Sequence, residues 1–191
     1  MGRIVLCLLA SLLVVTLWSP KANALVLVAM APDSIGLTVQ KSPVLFIFLS
    51  HATSLPIRFT LVESGKLSPV VEVLLSSPTR PGFLAIRMED YHIVLEEEVQ
   101  YRWYVSVVQD PDLPQRDFVA GGTIERVDPL RINFYGRPCD KDSVLLSRKA
   151  GIWYDAFACV MGLIEANPQD PTPHELRDEL IGRKQNLIYF P

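Results

Sequence analysis

Between Ser34 and Val127 the chain runs in short β-branched and aromatic stretches cut by turn residues; after Val127 its apolar residues recur at helical spacing. That switch of period limits the fold to strands first and helices after, an α+β protein in series. The candidate strands are Ile35–Val39, Val44–Leu49, Ile57–Glu63, Val70–Leu75, Phe83–Met88, Gln100–Val108 and Val119–Val127. Pro43, Pro56, Pro78, Pro81, Pro111 and Pro114 fall between them, and proline, which cannot donate to a ladder, marks boundaries. Ile57, Phe59 and Leu61 alternate with Arg58 and Thr60; Tyr101, Trp103, Val105 and Val107 alternate with Arg102, Tyr104 and Ser106. Val44–Leu49 is apolar on both faces, as a strand in mid-sheet and covered would be. Seven short strands with no helix between them predict an antiparallel β-sandwich.

The stretch Leu95-Glu96-Glu97-Glu98-Val99-Gln100-Tyr101 opens directly into Arg102-Trp103-Tyr104-Val105. A leucine shortly before a tyrosine that begins the penultimate strand resembles the tyrosine corner of immunoglobulin-like and fibronectin type III sandwiches, where the tyrosine hydroxyl bonds back to the backbone upstream. On that resemblance Leu95, Tyr101 and Trp103 are structural, and Glu96–Glu98 form a solvated turn rather than a metal site.

After Val127, Asp128-Pro129-Leu130 begins a short helical turn to about Tyr135. Asp140 or Asp142 caps a helix through Ala150, with Gly151 as its stop. Ile152–Ala166 follows as an amphipathic helix carrying Trp153, Ala156, Phe157, Val160, Leu163 and Ile164, ended by Asn167-Pro168. Thr172-Pro173-His174-Glu175 reads as a capping box that opens a last helix. The expected helical region therefore holds three to four helices. The Trp153–Pro171 tract looks like half of a tetratricopeptide unit; a single unit makes no solenoid, so it reads as a hairpin capping the sandwich. Leu187, Ile188, Tyr189 and Phe190 make the tail apolar, so it is expected to dock.

The first 24 residues read as an export signal. Arg3 supplies a positive n-region, Ile4–Trp18 an apolar stretch shorter than a bilayer span, and Ala22-Asn23-Ala24 a small-x-small cleavage site. The expected organisation is a signal peptide over 1–24, a β-sandwich domain over 25–127 and a helical region over 128–191 packed on it. Cleavage near Ala24 places the protein in the periplasm or outside the cell, and the mature chain carries no membrane span. Loss of Arg3 and Lys21 turns 18 basic against 21 acidic residues into 16 against 21, net −5. With no basic cluster longer than Arg148-Lys149, nucleic acid is not an expected partner. Cys7 leaves with the signal, and Cys139 and Cys159 remain, an even number for an oxidising compartment. They either form a disulfide across two antiparallel helices, or remain as a buried thiol at Cys159 and a surface thiol at Cys139.

Four segments recur together in this order: Ala31-Pro32-Asp33-Ser34-Ile35-Gly36-Leu37-Thr38-Val39, Tyr101-Arg102-Trp103, Gly122-Thr123-Ile124-Glu125-Arg126-Val127 and Gly151-Ile152-Trp153-Tyr154-Asp155-Ala156. They resemble a secreted bacterial family known as domain of unknown function 928, over essentially the whole mature chain. The resemblance implies an exported accessory protein and brings no reaction, cofactor or catalytic residue.

Few side chains converge on chemistry. His51, His92 and His174 lie far apart without a ligand partner at metal spacing. No Gly-x-Ser-x-Gly elbow is present. Asp110, Asp112 and Asp117 lack the glycine of a calcium loop. Gly121-Gly122 precedes no helix and reads as a bulge or close sheet packing. In the amphipathic helix Trp153 falls on the apolar stripe, whereas Tyr154 and Asp155 turn away from it, to bond to the sandwich, for example at Arg126, or to face a partner. The reading is an exported, non-enzymatic interaction module without metal or cofactor, whose partner is another envelope protein or a glycan. The alternatives are a small envelope hydrolase using a histidine, or a carbohydrate-binding protein using Tyr91 or Tyr104.

Overall fold

Among the described residues, turn residues and prolines divide the chain before Val127 into eight strands, and three helices follow. The structure, a computed structural model, describes residues 24–132 and 136–182. The strands are β1 (Leu27–Met30), β2 (Gly36–Thr38), β3 (Val44–Leu49), β4 (Ile57–Glu63), β5 (Val71–Leu75), β6 (Gly82–Arg87), β7 (Gln100–Val107) and β8 (Phe118–Arg126). The helices are α1 (Lys141–Lys149), α2 (Trp153–Ala166) and α3 (Pro171–Ile181). The protein is α+β.

Two sheets face each other, one ordered β1-β3-β6 and the other β2-β8-β7-β4-β5. The period-two alternation decides which residues meet between them. Ile57, Phe59 and Leu61 of β4 and Trp103, Val105 and Val107 of β7 are buried inward, opposite Leu45, Ile47 and Leu49 of β3. β3 sits between β1 and β6, and its second face carries Phe46 and Phe48, half-buried. Phe157 of α2 covers that face, its ring 5.4 Å from that of Phe46. An all-apolar strand is thus covered on both sides, by a sheet on one and a helix on the other.

Two features differ from the sequence expectation. An eighth strand, β1, precedes the seven expected; at four residues and apolar throughout, it shows no alternation to separate it from the apolar stretch upstream. The five-stranded sheet is mixed, because β2 pairs in parallel with β8 while the other pairings are antiparallel. The Pro32–Ile35 segment carries the chain from the first sheet to the second, where β2 meets β8 in parallel.

The helices follow their capping residues. Asp140 accepts from the Ser143 N–H at 2.7 Å and Ser143 answers the Asp140 N–H at 2.9 Å, a reciprocal cap for α1. Gly151, at φ 76°, makes the left-handed turn between α1 and α2 that a side chain would oppose. The start of α3 lies earlier than its expected cap at Thr172: Asp170 is the cap, accepting from the Thr172 N–H at 2.9 Å, and Pro171 takes the first helical position. α3 returns along α2 as a hairpin, with Leu176 packed against Ala156 and Val160. After β8 the chain makes a short 3₁₀ turn at Pro129–Arg131. The expected signal peptide, the end of that turn at Tyr135 and the apolar tail lie outside the described residues.

Candidate functional site

The segment Gly151–Ala156, the most distinctive piece of the sequence, forms the joint between helices and sandwich. Tyr154 is 2 % exposed, so of the two roles its helical angle leaves open, bonding to the sandwich or facing a partner, it takes the first. Its hydroxyl accepts from the Trp103 indole N–H at 2.8 Å and donates to the Thr123 carbonyl at 3.1 Å. Burial pushes that hydroxyl's pKa up, so it stays protonated and able to donate. Asp155 accepts from the Thr38 hydroxyl at 2.5 Å and from the Val39 N–H at 3.0 Å. Burial raises its carboxyl above the usual aspartate range, opposed by those two bonds. Trp153 stacks on Phe157 with ring centroids 5.0 Å apart.

Both polar residues bond to the sandwich, but not through Arg126. Arg126 is turned toward the corner loop, where it donates to the Leu95 carbonyl at 3.1 Å and to the Glu97 carboxylate at 2.5 Å. It belongs to the buried, inward-facing set of β8 and stands opposite Thr38 in the β2–β8 pairing, so Asp155 reaches the neighbouring strand end but takes its donors from Thr38 and Val39. Glu97 is therefore tied down, although it is exposed like its neighbours Glu96 and Glu98. In the same corner Leu95 and Tyr101 are buried and the Tyr101 hydroxyl accepts from the Glu96 N–H at 3.3 Å.

Two glycines make room for the joint. A Cβ on Gly122 would stand 2.4 Å from that of Ala31 and 3.0 Å from the Tyr154 hydroxyl; one on Gly36 would stand 2.5 Å from the Tyr154 ring. Thr38 and Gly36 were within the recurring segments but carried no individual signal, since their role exists only once α2 lies across β2.

The remaining candidates stand apart. Cys139 and Cys159 are joined by a disulfide, Cα–Cα 5.6 Å, which fastens the residue before the α1 cap Asp140 to the middle of α2. It walls a cavity of about 340 Å³ that Asp155 also lines, but both carboxylate oxygens of Asp155 are engaged by Thr38 and Val39. His51 Nδ1 lies 2.8 Å from the Ser50 hydroxyl, which itself accepts from the Val26 N–H. His92 ends a turn, and His174 Nε2 lies 3.0 Å from the Pro168 carbonyl, so the three histidines sit on separate elements. Among the described residues no group of three His, Cys, Asp or Glu gathers as a metal site. The Asp110 and Asp117 carboxylates accept from the Asp112 and Gln109 N–H groups, closing a plain turn.

One surface is left open. The outer face of the five-stranded sheet carries Arg58, Thr60, Arg102, Tyr104, Leu74 and Val119. Tyr104 pairs across strands with Gly121, over which its ring lies, so it is half-buried on its own sheet. Tyr91, the other aromatic proposed for glycan contact, packs against the core.

A family model described as Domain of Unknown Function (DUF928) matches residues 18–187. The chain belongs to that family. The match spans both sheets and all three helices, so the DUF928 unit includes the helical cap as well as the sandwich. No curated protein matches the chain. Among the described residues no helix of this DUF928 protein is long and apolar enough to cross a membrane.

Proposed function

We propose that this chain is an exported, non-enzymatic interaction module that offers the outer face of its five-stranded sheet to another envelope protein. The observation that carries this reading is the asymmetry of the two sheets. α2 covers the outer face of β3, and Tyr154 and Asp155 are spent holding it there, while no described helix covers Arg102, Tyr104 and Val119. Tyrosine and arginine beside exposed apolar side chains make the composition of a protein-binding centre. A single tyrosine over a glycine is a poorer platform for a sugar than a flat aromatic strip. Export is supported by the Ile4–Trp18 stretch and Ala22-Asn23-Ala24, and by a disulfide suited to an oxidising compartment.

Two measurements test the reading. N-terminal sequencing of protein from its native host should begin at Leu25 or within a residue or two; a retained Met1 overturns export. A photo-cross-linking residue placed at Val119 should capture one discrete envelope protein in living cells, and Arg102→Glu should reduce that capture. Capture unchanged by Arg102→Glu, or a saccharide recovered instead, rejects the protein-facing role. The Ser50–His51 contact is the one observation that favours the hydrolase alternative, and ester or peptide turnover abolished by His51→Ala would replace the module with an enzyme.

A further inference from the structure

Arg126 keeps one buried donor in reserve. Its side chain, inward on β8, is 9 % exposed. A guanidinium carries several N–H donors and no acceptor. Nη1 is engaged by the Leu95 carbonyl and Nη2 by the Glu97 carboxylate. The Nε is buried and, among the described residues, has no hydrogen-bond partner. Buried donors in folded chains are nearly always paired, so an orphaned one points to an acceptor that binds there.

The same arginine forms part of the wall of a cavity of about 380 Å³, together with Gln40, Lys41, Ser42, Glu89 and Pro129. The loop after β2 supplies much of that wall, and its backbone is fixed. The Lys41 carbonyl accepts from the Leu95 N–H at 2.8 Å, and the Ser42 hydroxyl donates to the Ile93 carbonyl at 2.7 Å. The Pro43 carbonyl accepts from the Met88 N–H at 3.2 Å, which holds the start of the 3₁₀ turn carrying Glu89. These bonds leave the Gln40, Lys41 and Glu89 side chains uncommitted: all three residues are exposed, and among the described residues none of those side chains makes a hydrogen bond or ion pair. Two cations and one carboxylate thus line a single polar cavity. Its volume falls in the range of small-molecule sites, about 300–1,000 Å³.

The charges select the ligand. A carboxylate satisfies the Arg126 N–H with a charge-assisted bond and pairs with Lys41. A multiply charged anion such as phosphate is repelled by Glu89, and a bare cation leaves the Arg126 donor orphaned. A molecule with a carboxylate at one end and an ammonium at the other meets all three groups. We propose that this cavity binds a zwitterionic amino acid or dipeptide, its carboxylate on Arg126 and Lys41 and its ammonium on Glu89. The site uses no residue of the outer sheet face, so it stands or falls separately from the partner-binding role.

The test titrates the mature, disulfide-intact, nitrogen-labelled chain with each of the standard amino acids and with glycylglycine, following the Arg126 Nε–H resonance by NMR. At least one of these zwitterions should shift that resonance saturably. Tighter saturation by glycylglycine than by any amino acid identifies a peptide site, and the reverse a free amino acid site. Acetate and methylammonium, which each hold half of the ligand, and phosphate should bind at least about tenfold more weakly, the equivalent of 1.4 kcal/mol for a lost charged contact. Lys41→Ala and Glu89→Gln change exposed side chains outside the core, and each should weaken binding of the best zwitterion by about the same factor. No saturable shift with any zwitterion would overturn the proposal. So would acetate or phosphate matching the best zwitterion, the mark of a general anion patch, or binding that is indifferent to both variants.

Discussion

The Trp103 indole N–H donates to the Tyr154 hydroxyl at 2.8 Å, joining the middle of β7 to the first turn of α2. Both side chains are buried, so this is a polar bond made inside the apolar core, and neither group has water as a substitute. The hydroxyl passes the bond on to the Thr123 carbonyl of β8. A helix is thus keyed to two neighbouring strands through one oxygen.

Tyr154→Phe keeps the ring and removes that oxygen, leaving the Trp103 N–H buried without a partner. The expected cost is about 2 kcal/mol, the penalty of an orphaned buried donor, seen as a fall of several degrees in Tm with the fold retained. Trp103→Phe removes the donor as well, so the double variant should lose less than the sum of the two single losses. A strictly additive thermodynamic cycle from denaturant unfolding would show that the two residues are not coupled.

Gly122→Ala and Gly162→Ala should move stability in opposite directions. At Gly122 the new methyl meets Ala31 and the Tyr154 hydroxyl, and overpacking there should cost about 1–3 kcal/mol. At Gly162 nothing lies within 4 Å, and alanine should stabilise the helix by roughly 0.5–1 kcal/mol. Urea midpoints of the two variants against the parent chain decide it.

The strand half was legible because its signal is local. Alternation in β4 and β7 named the inward residues, and the prolines placed the turns. α1 was equally plain, since Asp140 and Gly151 mark its ends by their own chemistry. β1 was hidden because four apolar residues have no period, and the parallel seat of β2 is decided by a bend whose direction no residue type encodes. The joint was half legible. Trp153, Tyr154 and Asp155 stood out as a group, but a helical wheel puts Tyr154 and Asp155 off the apolar stripe. It treats the helix as touching one surface, whereas α2 lies against β3 and also reaches β2, β7 and β8. Arg126, one of the contacts open to Tyr154 and Asp155 on sequence alone, is engaged by Leu95 and Glu97, because sequence gives the strand end but not which neighbouring loop folds against it.

The Cys139–Cys159 bridge closes a loop of 20 residues around α1. Reduction or a Cys139→Ala, Cys159→Ala pair should cost roughly 3 kcal/mol by loop entropy. The loss should fall on α1, held otherwise by Val144 against Ala156 and Val160, and leave the Trp103 environment unchanged. Alkylation of denatured, unreduced protein should add no carbamidomethyl group to the mature chain; two added groups would show free thiols.

Asp155 supplies a pH dependence with a definite sign. Burial raises its folded-state pKa above the ordinary aspartate value, so the folded chain holds that proton more tightly than the unfolded one. Between the ordinary and the raised value the native state binds more protons, and stability must therefore fall as pH rises through that window. The Asp155 contribution is fully present below the window and lost above it. Asp155→Asn retains an acceptor for the Thr38 hydroxyl and cannot titrate, so its stability profile should be flatter there than that of the parent. Thr38→Val removes a donor that favours the carboxylate, so the raised pKa should climb further and the fall should extend to higher pH. Denaturant unfolding of the three chains across this range measures the difference. A parent and Asp155→Asn that run parallel would mean that the carboxyl titrates alike folded and unfolded, and that it does not feel the low dielectric of the joint.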